Sequence, residues 1–201
     1  MTLEPFGDAA LRARLPPGAD RRALLHALRS LPRVIDAVVT ESHAMVTFDP
    51  SARPDGVAET IAASPSFAAV ASPAPRTHSI HVRYDGADLD EVAREAGLTR
   101  AEVIARHAAG EFVVSAIGFL PGFAYLRGLD PALVTPRRAS PRPRVEALSV
   151  AIAGPYTGIY PFASPGGWHL LGRAVGFSPF DARSGAAMAL GDRVVFVDGD
   201  K

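Results

Sequence analysis

EFVVSAIGFLPGFAYL, residues 111–126, is the stretch at which helical periodicity ends and strand-like patterns begin. It opens with the apolar run Phe112–Ile117, after which Gly118, Pro121 and Gly122 interrupt the chain. Short apolar runs between glycines and prolines then recur to the end of the sequence: Ser149–Ala153, His169–Leu171 and Arg193–Val197. This spacing is typical of a closed or sandwiched β structure.

Two glycine pairs are expected to form the turns of this β region. Gly166-Gly167 can supply the positive φ that a tight turn needs, and Gly191-Asp192 can do the same before the last strand.

A pair of helices is predicted just before the β region. Asp88 and Thr99 each stand three residues before a glutamate, which is the pattern of a capping box, and Gly97 ends the first helix. A helical hairpin over residues 88–109 is therefore expected to pack on one end of the β structure. The alternative is a helix-turn-helix that reads DNA, but Arg100 and Arg106 are the only basic residues it offers beyond the first helix.

The first third of the chain follows a β-α-β-β-α order. Strands are predicted at Ala9–Leu15, Val34–Val39 and Ala44–Phe48, and helices at Asp20–Ser30 and from Pro54 onward, with Val57 and Ile61 buried. Adding one strand, from Phe67–Ala71 or from Ser79–Tyr84, would complete a ferredoxin-like split pattern.

Prolines mark the boundary between these two regions. Pro65, Pro73 and Pro75 lie among alanine and serine residues, a composition typical of a linker. We therefore expect two domains, residues 1–75 and residues 76–201.

Composition excludes several classes of chemistry. Of the 21 basic residues only Lys201 is a lysine, so neither a P-loop nor a Schiff-base enzyme can be built. Cysteine is absent, which excludes disulfides, thiolate metal sites and a cysteine nucleophile. Acidic and basic residues are equal in number, so net charge does not attract nucleic acid.

The sequence also bears on location. The N-terminus lacks the pattern of a secretory signal, and no stretch approaches the ~20 apolar residues that cross a bilayer. We expect a cytoplasmic protein with no membrane partner.

The six histidines show no metal-binding spacing such as HExxH, so no metal is expected. His107 differs from the others because it shares a helical face with Val103 and Ile104 and lies just before a strand. Both a structural role and a role at a site are open for it.

An arginine strip occupies residues 135–144, where four guanidinium groups alternate with three prolines: Arg137, Arg138, Arg142 and Arg144. Proline excludes a helix or a central strand, so the strip is predicted to run extended along the surface with its guanidinium groups projecting. Guanidinium groups suit phosphate or carboxylate ligands. The alternative is a solvated linker that pairs with acidic residues.

Two further segments combine glycine and proline with aromatic or hydroxyl side chains. The first is Gly118–Leu126, whose aromatic residues can wall a pocket or plug the end of a barrel. The second is Gly154–Trp168, where Thr157, Tyr160 and Ser164 offer hydroxyl groups and glycines allow close backbone approach to a ligand.

Together these segments resemble the family of 5-oxoprolinase B subunits, also called the KipI-like or allophanate hydrolase subunit 1 family. Five blocks in order carry the resemblance: Gly118-Phe119-x-Pro121-Gly122-Phe123-x-Tyr125-Leu126, Thr135-Pro136-Arg137-Arg138-x-x-Pro141-Arg142-x-Arg144-Val145, Ser149-Val150-Ala151-Ile152-Ala153-Gly154, Thr157-Gly158-Ile159-Tyr160-Pro161, and Ser164-Pro165-Gly166-Gly167-Trp168-x-x-x-Gly172-Arg173.

The resemblance implies an α+β protein with a ferredoxin-like N-terminal domain and a cyclophilin-like β-barrel C-terminal domain. It implies one component of an ATP-dependent 5-oxoprolinase, which opens 5-oxoproline to L-glutamate together with a homologous C subunit and an A subunit. ATP would be bound mainly with the partner subunit, and the chain alone would be inactive. The alternative is a KipI-like inhibitor that docks its cyclophilin-like domain on a sensor histidine kinase.

The candidate residues follow from these blocks and from the residues themselves. The catalytic candidates are Arg137, Arg138, Arg144 and His107. The substrate-binding candidates are Phe119, Pro121, Gly122, Phe123, Arg142, Thr157, Gly158, Tyr160, Ser164, Pro165, Gly166, Gly167 and Trp168.

The chain departs from the family pattern in two places. Glu146-Ala147-Leu148 stands where the family usually has Pro-Ala-Gly, and Pro155-Tyr156 stands where it usually has Gly-Gln. Loss of a glycine removes freedom in a turn, and a phenol offers different hydrogen bonds from an amide.

Overall fold

A computed structural model describes residues 2–66 and 74–199. The chain divides into two compact units, Met1–Ala74 and Pro75–Lys201. The described helices are α1 (Arg21–Arg29), α2 (Val57–Ala63), α3 (Leu89–Ala96) and α4 (Arg100–Ala108). The described strands are β1 (Glu4–Pro5), β2 (Ala10–Arg14), β3 (Val34–Val39), β4 (His43–Phe48), β5 (Thr77–Arg83), β6 (Glu111–Ile117), β7 (Ala124–Arg127), β8 (Arg142–Val145), β9 (Ser149–Ala153), β10 (Tyr156–Ile159), β11 (Ser164–Gly166), β12 (His169–Val175), β13 (Phe180–Asp181), β14 (Gly185–Ala186) and β15 (Arg193–Asp198).

The N-terminal unit contains an antiparallel sheet with the order β1-β2-β4-β3. Helix α1 begins after Asp20, whose carboxylate accepts the backbone N–H groups of Arg22 and Ala23. Helix α2 begins at Val57 rather than at Pro54, because Gly56 lies in the left-handed region with φ +75° directly before it.

The fourth strand of the expected ferredoxin-like pattern had two candidates. The segment Phe67–Ala71 lies outside the described residues. The segment Ser79–Tyr84 does not join this sheet, because β5 pairs with β12 and β15 in the other unit. The short strand β1 occupies the edge beside β2 instead.

The C-terminal unit is a closed barrel of seven strands in the order β10-β7-β6-β15-β5-β12-β9, which confirms the predicted barrel. Strands β15 and β5 pair in parallel, and the other neighbouring barrel strands pair antiparallel. Fully buried aliphatic and aromatic side chains fill the interior, among them Phe112, Leu126 and Ile152.

Helices α3 and α4 form the predicted hairpin and bury Leu89, Val92 and Val103 in the same core as the barrel strands. The two arginines that a DNA-reading helix pair would need are both in ion pairs. Arg100 pairs with Asp90 at 2.9 Å and Arg106 pairs with Asp130 at 2.9 Å. The geometry therefore supports a structural hairpin.

Only one of the two predicted capping boxes forms. Thr99 and Glu102 cap α4 reciprocally, as predicted. Asp88 stands at the start of α3 but makes no capping hydrogen bond, so that prediction is wrong. Its carboxylate is occupied by more distant partners, which are described below.

Candidate functional site

A pocket of about 220 Å³ opens on the C-terminal unit beside the barrel. It is lined by residues of three segments that the sequence had singled out: Phe119, Phe123, Tyr125, Arg137, Pro141, Tyr160, Pro165, Gly166, Gly167 and Trp168. The fold thus brings together the aromatic segment, the arginine strip and the glycine-rich segment, which are distant in sequence.

Phe123 is the centre of the aromatic wall. Its ring contacts those of Tyr125, Tyr160 and Trp168 edge to face, with centroids 5.1, 5.5 and 5.3 Å away. Such pairs stabilise by about 0.5–1.5 kcal/mol each beyond the burial of their area. The wall is therefore rigid and apolar.

Phe119 projects at the mouth of the pocket. Its side chain is 58% exposed, and its backbone lies in the left-handed region with φ +74°. A bulky residue rarely adopts this conformation, and such strain is concentrated at functional sites. The next aromatic residue of the segment, Phe123, contacts the Phe119 ring at 5.4 Å between centroids.

Gly166 and Gly158 are needed for close packing. The expected positive φ at Gly166-Gly167 is wrong, since neither residue has one. A Cβ on Gly166 would lie 2.3 Å from the hydroxyl oxygen of Tyr160, and a Cβ on Gly158 would lie 3.1 Å from the Phe123 ring. These glycines let the backbone approach the aromatic wall directly.

Arg137 supplies the positive charge of the pocket. Within residues 2–66 and 74–199 it makes no ion pair and no hydrogen bond. Burial raises the pKa of both Tyr125 and Tyr160, and the charge of Arg137 opposes that rise. The pocket therefore combines one unpaired guanidinium with two neutral phenols.

The other three arginines of the strip are neutralised by carboxylates. Arg138 donates to Asp88 at 3.0 Å and to Glu91 at 2.8 Å, and Arg142 donates to Asp88. The prediction that all four guanidinium groups project is therefore wrong.

Arg144 is exposed and pairs with the neighbouring Glu146 through two hydrogen bonds, of 2.7 and 3.3 Å. The strip is also partly a strand, because β8 pairs with β11. Pro143 is tolerated there since this ribbon has only two strands.

His107 and Thr157 lie inside the barrel and do not line the pocket. The His107 ring is fully buried, and its Nε2 lies 2.8 Å from Thr157 Oγ1. Tyr84 approaches the other ring nitrogen, Nδ1, at 2.7 Å. Burial lowers the pKa of His107 to about 3, so the ring is neutral at physiological pH.

Three further candidates lie outside the lining of the pocket. Ser164 forms a hydrogen bond of 3.2 Å with the carbonyl of Pro165. Gly122 has φ +82° and packs against the backbone of Pro179, so it shapes the bend that carries Phe119. Pro121 precedes it in the same bend.

Two lining residues were missed as candidates, although both stand in the quoted blocks. Tyr125 was considered only as part of the aromatic motif, and Pro141 only as a helix breaker. In the part of the chain that the structure describes, no group of three or more acidic, histidine or cysteine side chains could hold a metal ion. Likewise, none of the described helices is long and apolar enough to cross a membrane.

Comparison with known proteins gives the family. The model described as "Carboxyltransferase domain, subdomain C and D" matches residues 1–189. The chain belongs to this family. The predicted likeness to 5-oxoprolinase B subunits is confirmed by the relatives of this carboxyltransferase C and D domain chain.

Two relatives and one solved structure show the extent of the likeness. The 5-oxoprolinase B subunit of Escherichia coli O157:H7 is 47% identical over 130 residues, which cover 62% of this chain and 59% of the relative. The 5-oxoprolinase B subunit of Bacillus subtilis (strain 168) is 50% identical over 88 residues, which cover 44% and 37%. The crystal structure of TTHA0988 matches 96% of this chain and 40% of its own chain, with 38% identity and a TM-score of 0.81. In each case the match spans less than two thirds of the other protein.

Both departures from the family's sequence pattern have structural consequences in this carboxyltransferase C and D domain. Leu148 has φ +67°, so it holds the left-handed conformation that glycine adopts freely. Glu146 is the residue that neutralises Arg144. Tyr156 packs edge to face on Tyr125 at 5.7 Å and so supports the pocket wall from behind.

Proposed function

We propose that this chain is the B subunit of an ATP-dependent 5-oxoprolinase and that the pocket beside the barrel binds the 5-oxoproline ring. The observation that carries the proposal is the unpaired guanidinium of Arg137 at the mouth of a small aromatic pocket. The relatives that are named as 5-oxoprolinase B subunits support the same interpretation.

The size and lining of the pocket fit a small cyclic acid. Pockets that enclose drug-sized ligands usually measure about 300–1,000 Å³, and this one measures about 220 Å³. A five-membered lactam can lie against the edges of Phe123 and Trp168, while its carboxylate pairs with Arg137. A nucleotide is too large for the same space.

The proposed reaction transfers the terminal phosphoryl group of ATP to the lactam carbonyl oxygen and releases ADP. The activated carbon is then attacked by water, the ring C–N bond breaks, and the nitrogen takes a proton to become the amino group of glutamate. A second water is consumed in releasing the phosphoryl group as phosphate. The neutral phenols of Tyr125 and Tyr160 can donate hydrogen bonds to the carbonyl oxygen as its charge develops.

We propose that the partner C subunit supplies most contacts to ATP, since the sequence has no P-loop lysine. Arg137 is the proposed substrate-binding arginine. Arg138, Arg142 and Arg144 are each neutralised by a carboxylate, so we assign them to holding the strip. His107 is proposed to stabilise the barrel, because its ring is buried away from the pocket.

The proposal is tested by purifying the chain with its candidate A and C subunits and measuring glutamate release from 5-oxoproline with and without ATP. We expect release only with ATP and only from the assembled complex. A complex that forms but releases no glutamate would contradict the proposal. If the chain instead bound a sensor histidine kinase and inhibited its autophosphorylation, the inhibitor alternative would replace it.

A further inference from the structure

Asp88 is the acceptor at which the walls of the pocket are joined, although it does not line the pocket itself. It stands at the start of α3, and its side chain is 3% exposed. A buried carboxylate is costly unless it is fully paired. Its partners therefore show what its charge holds in place.

Two of those partners are the guanidinium groups of Arg138 and Arg142. Each is the immediate neighbour of a residue that lines the pocket, namely Arg137 and Pro141. One carboxylate thus anchors the arginine strip on both sides of its pocket-lining segment.

The third partner is the backbone N–H of Leu170, which donates to Asp88 at 2.7 Å. The N–H of Asp88 in turn donates to the carbonyl of Leu170 at 3.1 Å. Leu170 lies two residues after the pocket wall Trp168 and borders an irregularity in the pairing of β12 with β9. Asp88 therefore also fixes the position of the opposite wall.

The strip and the glycine-rich segment also meet directly. Arg138 donates its backbone N–H to Gly167 at 2.8 Å, and Arg142 stands opposite Gly166 in the β8–β11 ribbon. Burial acts to raise the pKa of Asp88, but the hydrogen bonds from Arg142 and Leu170 and the charges of both arginines outweigh it, so the carboxylate stays ionised.

We infer that Asp88 is a positioning residue for the proposed 5-oxoprolinase reaction: through Arg138, Arg142 and Leu170 it holds Arg137 and Trp168 on facing sides of the pocket. Asp88 touches no substrate and acts through Arg137. Its catalytic meaning rests on the proposed function, but its effect on pocket geometry does not.

The geometric part is tested by hydrogen exchange of the full chain with Asp88→Asn, which removes the charge and keeps the size. We expect the amides of Arg138 and Leu170 to exchange about 10-fold faster or more, because their segments lose a shared anchor. The matched control is Asp130→Asn, which removes another carboxylate that binds an arginine and a backbone amide in the same unit. Unchanged exchange at both amides in Asp88→Asn would overturn the inference.

Arg138→Gln approaches the same anchor from its other end and serves if Asp88→Asn does not fold. The Arg138 side chain is 27% exposed, so its removal is milder, and Asp88 keeps Arg142 and Leu170 as partners. We expect faster exchange at Leu170 in this variant as well, and unchanged exchange there would contradict the anchoring role.

The catalytic part is tested with the assembled complex through a double-mutant comparison. We expect Asp88→Asn to lower kcat/KM for 5-oxoproline by about 10-fold in the native background and by less than about 2-fold in an Arg137→Ala background. Equal losses in both backgrounds would show that Asp88 does not act through Arg137. If the native complex releases no glutamate, the proposed function fails, while the exchange result still decides the positioning role.

Discussion

His107 Nε2 donates a hydrogen bond to Thr157 Oγ1 across 2.8 Å in the interior of the barrel. The direction follows from the neighbours, because the Thr157 hydroxyl donates its own proton to the carbonyl of Ala151. The remaining nitrogen, Nδ1, then accepts from the hydroxyl of Tyr84. The neutral imidazole completes one continuous chain of donors and acceptors between α4, β10 and β9.

This arrangement predicts a pH-dependent loss of stability. The pKa of His107 is about 3 in the folded state and about 6.5 in the unfolded state, so above pH 6.5 neither state binds the proton. Below pH 6.5 the unfolded state binds it first, and folding becomes less favourable as the pH falls. His107 alone should lower the free energy of unfolding by about 2 kcal/mol between pH 7 and pH 5.

Urea unfolding of the native chain and of His107→Gln at both pH values measures this contribution. Glutamine can donate and accept hydrogen bonds but does not titrate. Both proteins keep the other histidines and all carboxylates, so their difference isolates His107. An equal loss of stability in the two proteins would contradict the assignment.

Backbone strain at Phe119 predicts a difference between two small residues at that position. Both Phe119→Gly and Phe119→Ala lose the ring, but only alanine keeps a Cβ in the left-handed conformation. We expect the glycine variant to be more stable than the alanine variant by about 1 kcal/mol in urea unfolding. Equal stabilities would show that the positive φ costs nothing. Both variants should bind 5-oxoproline more weakly than the native chain.

Close packing at Gly166 predicts that a single methyl group disrupts the pocket. Its Cβ would meet the rigid, buried ring of Tyr160, and overpacking of this kind costs about 1–3 kcal/mol. Gly166→Ala should therefore lower the thermal midpoint and change the fluorescence of Trp168, the only tryptophan of the chain.

Gly118→Ala is the matched control for Gly166→Ala. A Cβ at Gly118 meets no atom within 4 Å, and Gly118 has no positive φ. This variant should behave like the native chain. If the two alanine variants were equally stable, the packing explanation at Gly166 would be wrong.

Much of the fold could be predicted because local patterns and tertiary structure agree. Strands β3 and β9 are found where runs rich in β-branched residues predicted them, and α1 lies where its apolar stripe predicted a helix. The pattern does not reveal β8 and β10, because Pro143 and Gly158 interrupt their sequences. Both residues are tolerated for tertiary reasons, a two-stranded ribbon at one and packing against Phe123 at the other.

The residue types that line the pocket could be predicted, but their pairing could not. Aromatic and glycine-rich segments indicate a wall and a close backbone approach, and both are found. Four neighbouring arginines look equivalent in sequence, yet Asp88 lies 50 residues before Arg138 and binds it together with Arg142. Which arginine remains unpaired depends on these long-range contacts, which local patterns do not encode.

The central claim is that Arg137 binds the substrate, and kcat/KM for 5-oxoproline in the assembled, ATP-supplied complex tests it most directly. Loss of a hydrogen bond to a charged group costs about 1.5–3 kcal/mol, so Arg137→Ala should lower kcat/KM by about 10- to 100-fold. Arg144→Ala, which removes an exposed arginine already paired with Glu146, should change it by less than about 3-fold. Native-like activity in Arg137→Ala, or equal losses in the two variants, would contradict the claim.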